Sequence, residues 1–263
     1  MKLKLVPARQ GFTWVRHGLR VFFMRPMAFC LLFLIFMFAM ATSMLVVAPL
    51  ATIAFMLATQ DALQGRFPMP SVFIRPLRVD RKRMWAQIQL GVAYTICAVG
   101  VYLVFVAIDG GAMGRFEAAM SAGRPPEELL PLATDPRLQT AWLVLFTGVA
   151  IISVPFWYAP ALVHWGAMSA AKAAFFSTVA CWRNKGALAL FSLAWAGIVA
   201  LLALFITTLM AALASPQMMF LMSPATLMVS AAFYASLFFT FADCFEPDSK
   251  QDVPLDALPR ETP

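Results

Sequence analysis

Apolar residues occur in six long windows along the chain, and polar or charged residues are concentrated between them. A helix needs roughly 20 apolar residues to cross a hydrocarbon core of about 30 Å. Because lipid offers no partner for backbone N–H and C=O groups, windows of this length predict helices rather than barrel strands. The predicted spans are Met27–Ser43, Leu45–Leu63, Met84–Ile108, Gln139–Tyr158, Ala187–Ala214 and Gln217–Ala242.

This pattern predicts an all-α protein, a polytopic transmembrane helical bundle of about six spans with interfacial amphipathic helices. Residues 1–245 are expected to form one integral membrane domain. Residues 246–263 are polar, acidic and rich in proline, which is typical of disordered sequence, and we expect them to form a cytoplasmic tail.

Pro49 lies within an uncharged run of 34 residues, Met27–Gln60. One continuous helix of that length would be about 51 Å long, far more than the hydrocarbon core. We therefore place Pro49 in a turn between the first two spans, although a re-entrant second segment preserves the same orientation. Ala39-Met40-Ala41 resembles a signal cleavage site, but the basic region of such a signal would be 25 residues long, so we interpret this run as an uncleaved span.

Basic residues decide the orientation, because Lys and Arg accumulate in cytoplasmic loops. The six-span arrangement puts 17 of the 20 basic residues on one side and leaves three, Arg115, Arg124 and Arg137, on the other. It therefore predicts a cytoplasmic N-terminus and C-terminus. The loop that follows the third span, from Asp109 to Leu138, is expected outside, as a solvated connector or a place for a partner.

The segment before the first span is amphipathic. Arg9, Arg16 and Arg20 share one helical face, and an apolar surface adjoins it. The residues of that surface are Phe12, Val15, Leu19, Phe22 and Phe23. Such a helix can lie in the membrane interface with its arginines at lipid phosphates, although a simple basic connector satisfies the same pattern.

Basic residues at span ends are candidate contacts for anionic headgroups, so membrane lipids are the predicted partners. The candidates are Arg9, Arg16, Arg20, Arg25, Arg81, Lys82, Arg83, Arg183 and Lys185. The net charge of +7 does not indicate nucleic acid, because these residues flank spans rather than cover a soluble domain.

Two further patterns concern local architecture. FFMRPMAFCLLFLIF (Phe22–Phe36) matches ACWRNKGALALFSLA (Ala180–Ala194) weakly, with a looser copy at Arg81–Tyr94. Three repeats, 9–63, 68–158 and 160–243, would explain this, and so would chance. Pro155 and Pro160 predict a bend after the fourth span, followed by one helical segment, Ala161–Trp182, at the cytoplasmic face. Its Phe175, Phe176 and Trp182 are expected on the bundle or in the interface.

Composition agrees with a membrane protein and offers little chemistry. Hydrophobic residues make up 62% of the chain and charged residues 13%, with a mean hydropathy of +0.79. His17 and His164 show no metal-ligand spacing, and the four cysteines form no CxxC motif and are expected as free thiols. No phosphate loop, nucleophile elbow or dinucleotide fingerprint occurs, so we predict no metal, no cofactor and no enzymatic activity.

Three stretches carry a family resemblance: VPARQGFTWVRHGLRVFF (Val6–Phe23), QGRFPMPSVF (Gln64–Phe73) and FFSTVACWRNKGALALFSLAW (Phe175–Trp195). They resemble an uncharacterised family of six-helix inner-membrane proteins of proteobacteria, over nearly the whole chain. The resemblance implies a helical bundle in the bacterial inner membrane. It implies no established activity and no functional residues.

The span centres contain no charged residue, whereas ion-coupled transport usually places ionisable groups there. Asp61 and Asp243 are predicted at cytoplasmic span ends and Asp109 at the outer end of the third span. Neutral polar residues such as Gln87 are expected to join helices or face the interface. We therefore expect a structural, accessory or lipid-interacting role without catalysis. A carrier or channel for an apolar or lipid-like substrate is the alternative, because such a substrate requires no buried charge.

The distribution of basic residues predicts the result of a topology experiment. Reporter fusions at Gly65 and Ser249 should report the cytoplasm, and a fusion at Gly123 the periplasm, in assays of alkaline phosphatase and of a cytoplasmic fluorescent protein. A periplasmic signal at Gly65 would show that Pro49 does not lie in a turn.

Overall fold

The computed structural model describes residues 1–42, 47–213 and 222–246. Within these ranges the chain is almost entirely helical, which confirms the all-α class, and one short pair of strands accompanies the helices. The helices are α1 (Gln10–Met24), α2 (Pro26–Thr42), α3 (Ala48–Leu63), α4 (Arg81–Asp109), α5 (Ala112–Ser121), α6 (Pro126–Ala133), α7 (Pro136–Phe156), α8 (Ala159–Gly166), α9 (Ala170–Arg183), α10 (Lys185–Leu213) and α11 (Met222–Cys244). The strands are β1 (Lys2–Leu3) and β2 (Phe245–Glu246), and 3-10 turns occupy Pro70–Phe73 and Arg75–Leu77.

Not all six predicted spans reach the length of a membrane crossing. In the described ranges, four stretches are long and apolar enough: Arg81–Asp109, Pro136–Gly166, Lys185–Leu209 and Pro224–Cys244. Helices α1 and α2 together would make a fifth, but they are bent by 100° at Arg25, and α3 is a shorter apolar helix of 16 residues. The prediction of six spans is therefore not confirmed.

The apolar run is interrupted as predicted, but Pro49 itself belongs to α3 and not to a turn between the two helices. Helix α2 ends at Thr42 and α3 begins at Ala48, so the apolar run does not form one helix. Pro49 occupies the first turn of α3, where its missing N–H costs no helical hydrogen bond. The first four residues between these helices, 43–46, lie outside the described ranges.

The two strands restrict the number of crossings. β1 pairs antiparallel with β2, Lys2 opposite Glu246 and Leu3 opposite Phe245, so these residues lie on the same side of a membrane. The chain between them must then cross an even number of times. Helices α2 and α3 consequently either both cross, which gives six spans, or turn back together, which leaves four. Glu246 belongs to this pairing, and the rest of the predicted disordered tail lies outside the described residues.

Helix α1 lies lengthwise against α10 and α11. Trp14 is fully buried and packs on Phe191 of α10, and Gly18 is in backbone contact with Ser236 of α11. This packing divides the predicted apolar surface of α1. Val15 and Phe22 are buried against protein, whereas Phe12 and Phe23 remain exposed.

The chain forms two compact units, and residues 92–154 make up the smaller one. Phe105 of α4 packs edge-on against Trp142 of α7, with ring centroids 5.4 Å apart. Asp109 is the last residue of α4. Its carboxylate accepts hydrogen bonds from the backbone N–H groups of Gly111 and Met113, at the start of α5. The predicted outside loop therefore contains two short helices, α5 and α6.

The bend after the fourth predicted span lies at Trp157–Tyr158, between the two prolines. The sequence predicts one helical segment after this bend, whereas the structure has two helices, α8 and α9. Helix α8 ends at Gly166, and Ala167 adopts a left-handed conformation with φ 50° before α9 begins at Ala170. A residue with this φ cannot continue an α-helix, so the chain changes direction there.

Two of the three proposed repeats share a helix–break–helix pattern. Arg25 separates α1 from α2, and Asn184 separates α9 from α10. The third copy begins α4 at Arg81, and 3-10 turns rather than an α-helix precede it. The threefold repeat itself stays a prediction.

The close approach of α1 to α11 predicts a large effect from a small substitution. A Cβ at position 18 would overlap Ser236 Cβ and Cα, so Gly18→Ala should force the helices apart and lower the free energy of unfolding by about 1–3 kcal/mol. Gly197→Ala on α10 is the matched control, because nothing lies within 4 Å of its added Cβ. It should stabilise the helix by roughly 0.5–1 kcal/mol. Equal thermal unfolding of both variants in detergent would contradict this packing.

Candidate functional site

Polar side chains fix the N-terminal segment to the helix ends around it. Asp243 near the end of α11 accepts hydrogen bonds from Gln10 Nε2 and Trp14 Nε1, each at 2.7 Å. Asn184 is buried, accepts a hydrogen bond from the N–H of Val6 at 3.0 Å and donates one to the carbonyl of Lys4 at 3.1 Å. Helix α1, the α9–α10 junction and the end of α11 thus meet at one face.

Asp61 fixes the loop that follows α3. Asp61 is only 1% exposed. Its two carboxylate oxygens accept hydrogen bonds from Arg66 Nη2 at 2.7 Å and from Arg75 Nη2 at 2.5 Å. Two residues earlier, Thr59 donates to the carbonyl of Ala235 at 3.0 Å, which ties α3 to α11. The prediction that Asp61, Asp109 and Asp243 lie at helix ends is confirmed, and each has a structural partner.

A groove lies where α4 begins, beside the turn between α8 and α9. Its volume is about 900 Å³. We call it the basic groove, and its lining residues are Asp80, Arg81, Lys82, Arg83, Trp85, Ala86, Gln89, Ala167, Met168 and Ser169. Three consecutive basic residues therefore border a concave surface at the end of a candidate span.

The three basic residues of this groove have different surroundings. Arg83 is held in place, since its Nε lies 3.0 Å from Asp80 Oδ2 and its Nη1 donates to the carbonyl of His164 at 2.7 Å. Arg81 and Lys82 are exposed, and the Trp85 side chain beside them is 51% exposed. Arg83 thus positions the start of α4, and Arg81 and Lys82 are the groups available to an anion.

Gln87 strengthens the attachment of α4 at this place. It is 4% exposed, and its Nε2 donates to the carbonyl of Pro160 at 2.8 Å. This agrees with the expectation that neutral polar residues near the span ends join helices. The wall of the basic groove is therefore rigidly connected to α8.

The nine predicted headgroup residues are distributed over three places. Arg81, Lys82 and Arg83 border the basic groove. Arg183 and Lys185 flank Asn184 and are exposed, and Lys185 Nζ lies 4.9 Å from the centroid of the exposed Trp182 ring. The remaining four, Arg9, Arg16, Arg20 and Arg25, are exposed along α1 and at its ends.

Sequence reasoning did not find a second groove, which is apolar. Its volume is about 640 Å³, and α2, α10 and α11 line it. Phe33 and Phe36 contribute from α2, Ala196 and Ala200 from α10, and Tyr234 from α11. The i, i+4 spacing of the two alanines is a local signal, but the pairing of α2 with α10 and α11 is tertiary.

His17 and the cysteines line neither groove, and His164 meets the basic groove through its backbone carbonyl, which binds Arg83. His17 packs on Phe239 at 5.2 Å between ring centroids, and all four cysteines are free thiols, as expected. Burial raises the pKa of the Cys181 thiol to about 12, so little thiolate exists at neutral pH. Among the described residues, no group of three or more His, Cys, Asp or Glu side chains is placed to hold a metal ion.

A "probable inner membrane protein" of Burkholderia thailandensis is similar to this chain along nearly its whole length. The two are 31% identical over 261 residues, which cover 93% of this chain and 94% of the relative. The chain belongs to the family of that inner-membrane protein. No family model matches the sequence, and no solved structure matches it. With its apolar helices, the chain is a multi-pass protein of the inner membrane, which confirms the family resemblance.

The contacts of Asp61 predict a destabilised variant. Asp61→Asn removes the charge that both arginines bind and turns an amide donor toward one of them, so the free energy of unfolding should fall by roughly 1–3 kcal/mol. Glu128→Gln is the matched control, since its ion pair with Arg124 is exposed and worth about 0–1 kcal/mol. Thermal unfolding in detergent measures both, and an Asp61→Asn variant as stable as the control would contradict a structural role.

Proposed function

We propose that this protein has a non-catalytic, accessory role in the inner membrane and that its basic groove binds the headgroups of anionic phospholipids. The observation that carries the proposal is the concave surface with Arg81 and Lys82 exposed at the start of a span. Ammonium and guanidinium groups at such a position meet lipid phosphates, and each contributes about 1 kcal/mol to binding an anionic surface.

The fixed geometry of the groove supports binding at this place rather than general attraction. Because Arg83 is held by Asp80 and by the His164 carbonyl, its neighbours are presented from a rigid helix end. Trp85 is half-exposed and places an amphipathic ring where headgroup and acyl chain meet. A lipid bound here would contact a charged rim and an aromatic side chain together.

We further propose that this groove faces the cytoplasm. The strand pairing places Leu3 and Phe245 on one side, and the groove is linked to the same region through His164 and α8. Most basic residues belong to the segments that meet there, so the positive-inside rule favours the cytoplasmic side. Segment 109–138 then faces the periplasm with its five acidic residues and three arginines.

The absence of an enzymatic role is also a proposal. It is supported by the structural use of Asp61, Asp109 and Asp243, whose carboxylates are bound to neighbouring groups. It is further supported by the raised pKa of Cys181, which leaves that thiol unreactive. An enzymatic activity of the purified protein that disappears when either histidine is replaced would contradict the proposed absence of catalysis.

A carrier for an apolar or lipid-like substrate is the second candidate, and the apolar groove favours it. Its volume is within the range of small-molecule sites, and aromatic rings cluster beside it. Cross-linking with a photoreactive lipid in membranes separates the two candidates. Labels confined to α2, α10 and α11 favour the carrier, and labels at the start of α4 favour headgroup binding.

The proposal predicts weaker binding when the exposed charges of the groove are removed. Arg81→Gln combined with Lys82→Gln should lower the affinity for phosphatidylglycerol on the order of 30-fold, since two contributions of about 1 kcal/mol are lost. Native mass spectrometry of the full chain with phosphatidylglycerol and phosphatidylcholine measures this, and binding of the zwitterionic lipid should change little.

Two control variants remove the same charge elsewhere. Arg115→Gln with Arg124→Gln alters exposed ion pairs of the smaller unit and should leave lipid binding unchanged. Arg183→Gln with Lys185→Gln should reduce binding of anionic lipid less than the groove variant, because these two residues do not line the basic groove. Equal losses in all three variants would mean that net charge alone attracts the lipid, and the groove proposal would fail.

A further inference from the structure

The direction of α1 follows from its contacts. Its first turns reach Asp243 and Ala187, its middle meets Phe239 and Ser236, and its last turn borders a small cavity shared with Leu202. Helix α1 therefore runs parallel to α10 and antiparallel to α11. Both partners are candidate spans by length and composition, so α1 lies along two of them.

Helix α2 then turns away from this direction. The 100° bend at Arg25 sets it nearly perpendicular to α1. Phe29 near its start packs on Phe22 of α1, and Phe36 packs on Tyr234 of α11. Phe22 borders the cavity beside Ala232, only two residues from Tyr234, so α2 keeps a nearly constant depth.

Helix α3 returns to the starting face. Its middle residue Phe55 packs on Tyr234 with ring centroids 4.8 Å apart, and Thr59 bonds the carbonyl of Ala235. Asp61 follows and binds the arginines of the next loop. The strand pairing allows α2 and α3 to turn back together. The contacts agree with such a path, in which α1 runs along the spans, α2 runs across them and α3 returns to the face where α1 began.

Two arginines belong to this path. Arg20 and Arg25 are exposed, and their guanidinium groups form no hydrogen bond or ion pair with any residue in the described part of the chain. The cavity beside Phe22 contains Ala232, which is 11 residues or about 16 Å along α11 from Asp243. An arginine exposed to lipid at such a depth is costly unless an anion or water reaches it.

We propose that α1, α2 and α3 form a re-entrant unit and that Arg20 and Arg25 bind the phosphate of a phospholipid drawn below the bilayer surface. Side chains on a helix point toward its N-terminus, so the Arg20 side chain extends toward the end of α11 that carries Asp243. The lipid phosphate therefore has to move only part of the distance from the surface to Arg20. The bilayer is thinned beside this unit, because charged groups at depth and short helices both favour thinning. The site is distinct from the basic groove and does not depend on it.

Depth measurements test the re-entrant path. Phe12 and Phe23 are both exposed on α1, so spin labels at Phe12→Cys and Phe23→Cys report two positions of one helix without disturbing its packing. Cys30→Ser and Cys97→Ser remove the two more accessible native thiols, and the buried Cys181 and Cys244 remain. The label at position 23 should lie about 10–16 Å deeper in vesicles of phosphatidylcholine and phosphatidylglycerol, as measured by oxygen and nickel-chelate relaxation. Equal depths would show a helix flat on the surface and overturn the proposal.

Lipid binding tests the arginines. Arg20→Gln with Arg25→Gln should reduce retention of both phosphatidylcholine and phosphatidylglycerol at least several-fold, since the phosphodiester is common to both. Arg115→Gln with Arg124→Gln matches the change in charge and should retain both lipids. Added inorganic phosphate should not displace the lipid, because the site lies below the surface; displacement would identify a free-phosphate site and overturn the proposal.

The outcomes separate this site from the basic groove. Loss of both lipids in the Arg20 and Arg25 variant, with loss of only the anionic lipid in the Arg81 and Lys82 variant, supports two sites. Unchanged lipid retention in the Arg20 and Arg25 variant overturns the buried phosphate site and leaves the groove proposal standing. A thermal unfolding measurement confirms that the variant is folded before binding is compared.

Discussion

The contact between Gly18 of α1 and Ser236 of α11 is the constraint on which the N-terminal half of the structure depends. Only a residue without a Cβ permits this backbone approach, and Gly11 permits a similar one against Ala187 and Phe191. Close packing of this kind replaces the hydrophobic driving force that lipid cannot supply between helices. It holds α1 along two spans, and this direction determines where α2, α3 and the arginines of α1 lie.

Hydrogen bonds of buried polar groups hold the same helices together at their ends. Asp243, Asn184 and Asp61 are acceptors at helix ends. Asp243 and Asn184 bind groups of the N-terminal segment, far away in sequence, and Asp61 binds two arginines of the loop that follows α3. In a protein with few charged residues, a buried acceptor without a partner would cost much of the stability. The hydrogen bonds therefore fix the N-terminal segment and the loop after α3 in one arrangement, and they keep the start of α4 near α8.

Basic residues differ from the acidic ones in their use. Arg66, Arg75 and Arg83 bind protein groups, whereas Arg81 and Lys82 remain exposed beside a groove. The two proposals give different roles to exposed charge: recognition of anionic headgroups at the surface, and binding of phosphate at depth. Both follow from a membrane environment, where the phosphate is the anion most readily available to a surface arginine.

The class of the protein, the approximate positions of its long helices and the interruption of the apolar run near Pro49 follow from the sequence. These features depend on local properties, such as the length of apolar windows, the missing N–H of proline and the charges beside spans. The sequence also located the three acids at helix ends, because burial of a charge within a span is costly. Arg81, Lys82 and Arg83 of the basic groove were predicted as headgroup contacts, but not as neighbours of Ala167–Ser169, which are more than 80 positions away.

Only the tertiary structure decided which apolar faces meet lipid and which meet protein. All four residues Val15, Phe22, Phe12 and Phe23 belong to the apolar surface that the sequence predicts for α1. Only Val15 and Phe22 are buried, because they lie on the same side of α1 as Gly11 and Gly18, which pack on α10 and α11. The length of α3 alone does not relate its path to that of α2, whereas the pairing of β1 with β2 requires that both helices cross or that neither does. The apolar groove likewise required α2 to meet α10 and α11. Such contacts join residues far apart in the chain, and local periodicity carries no information about them.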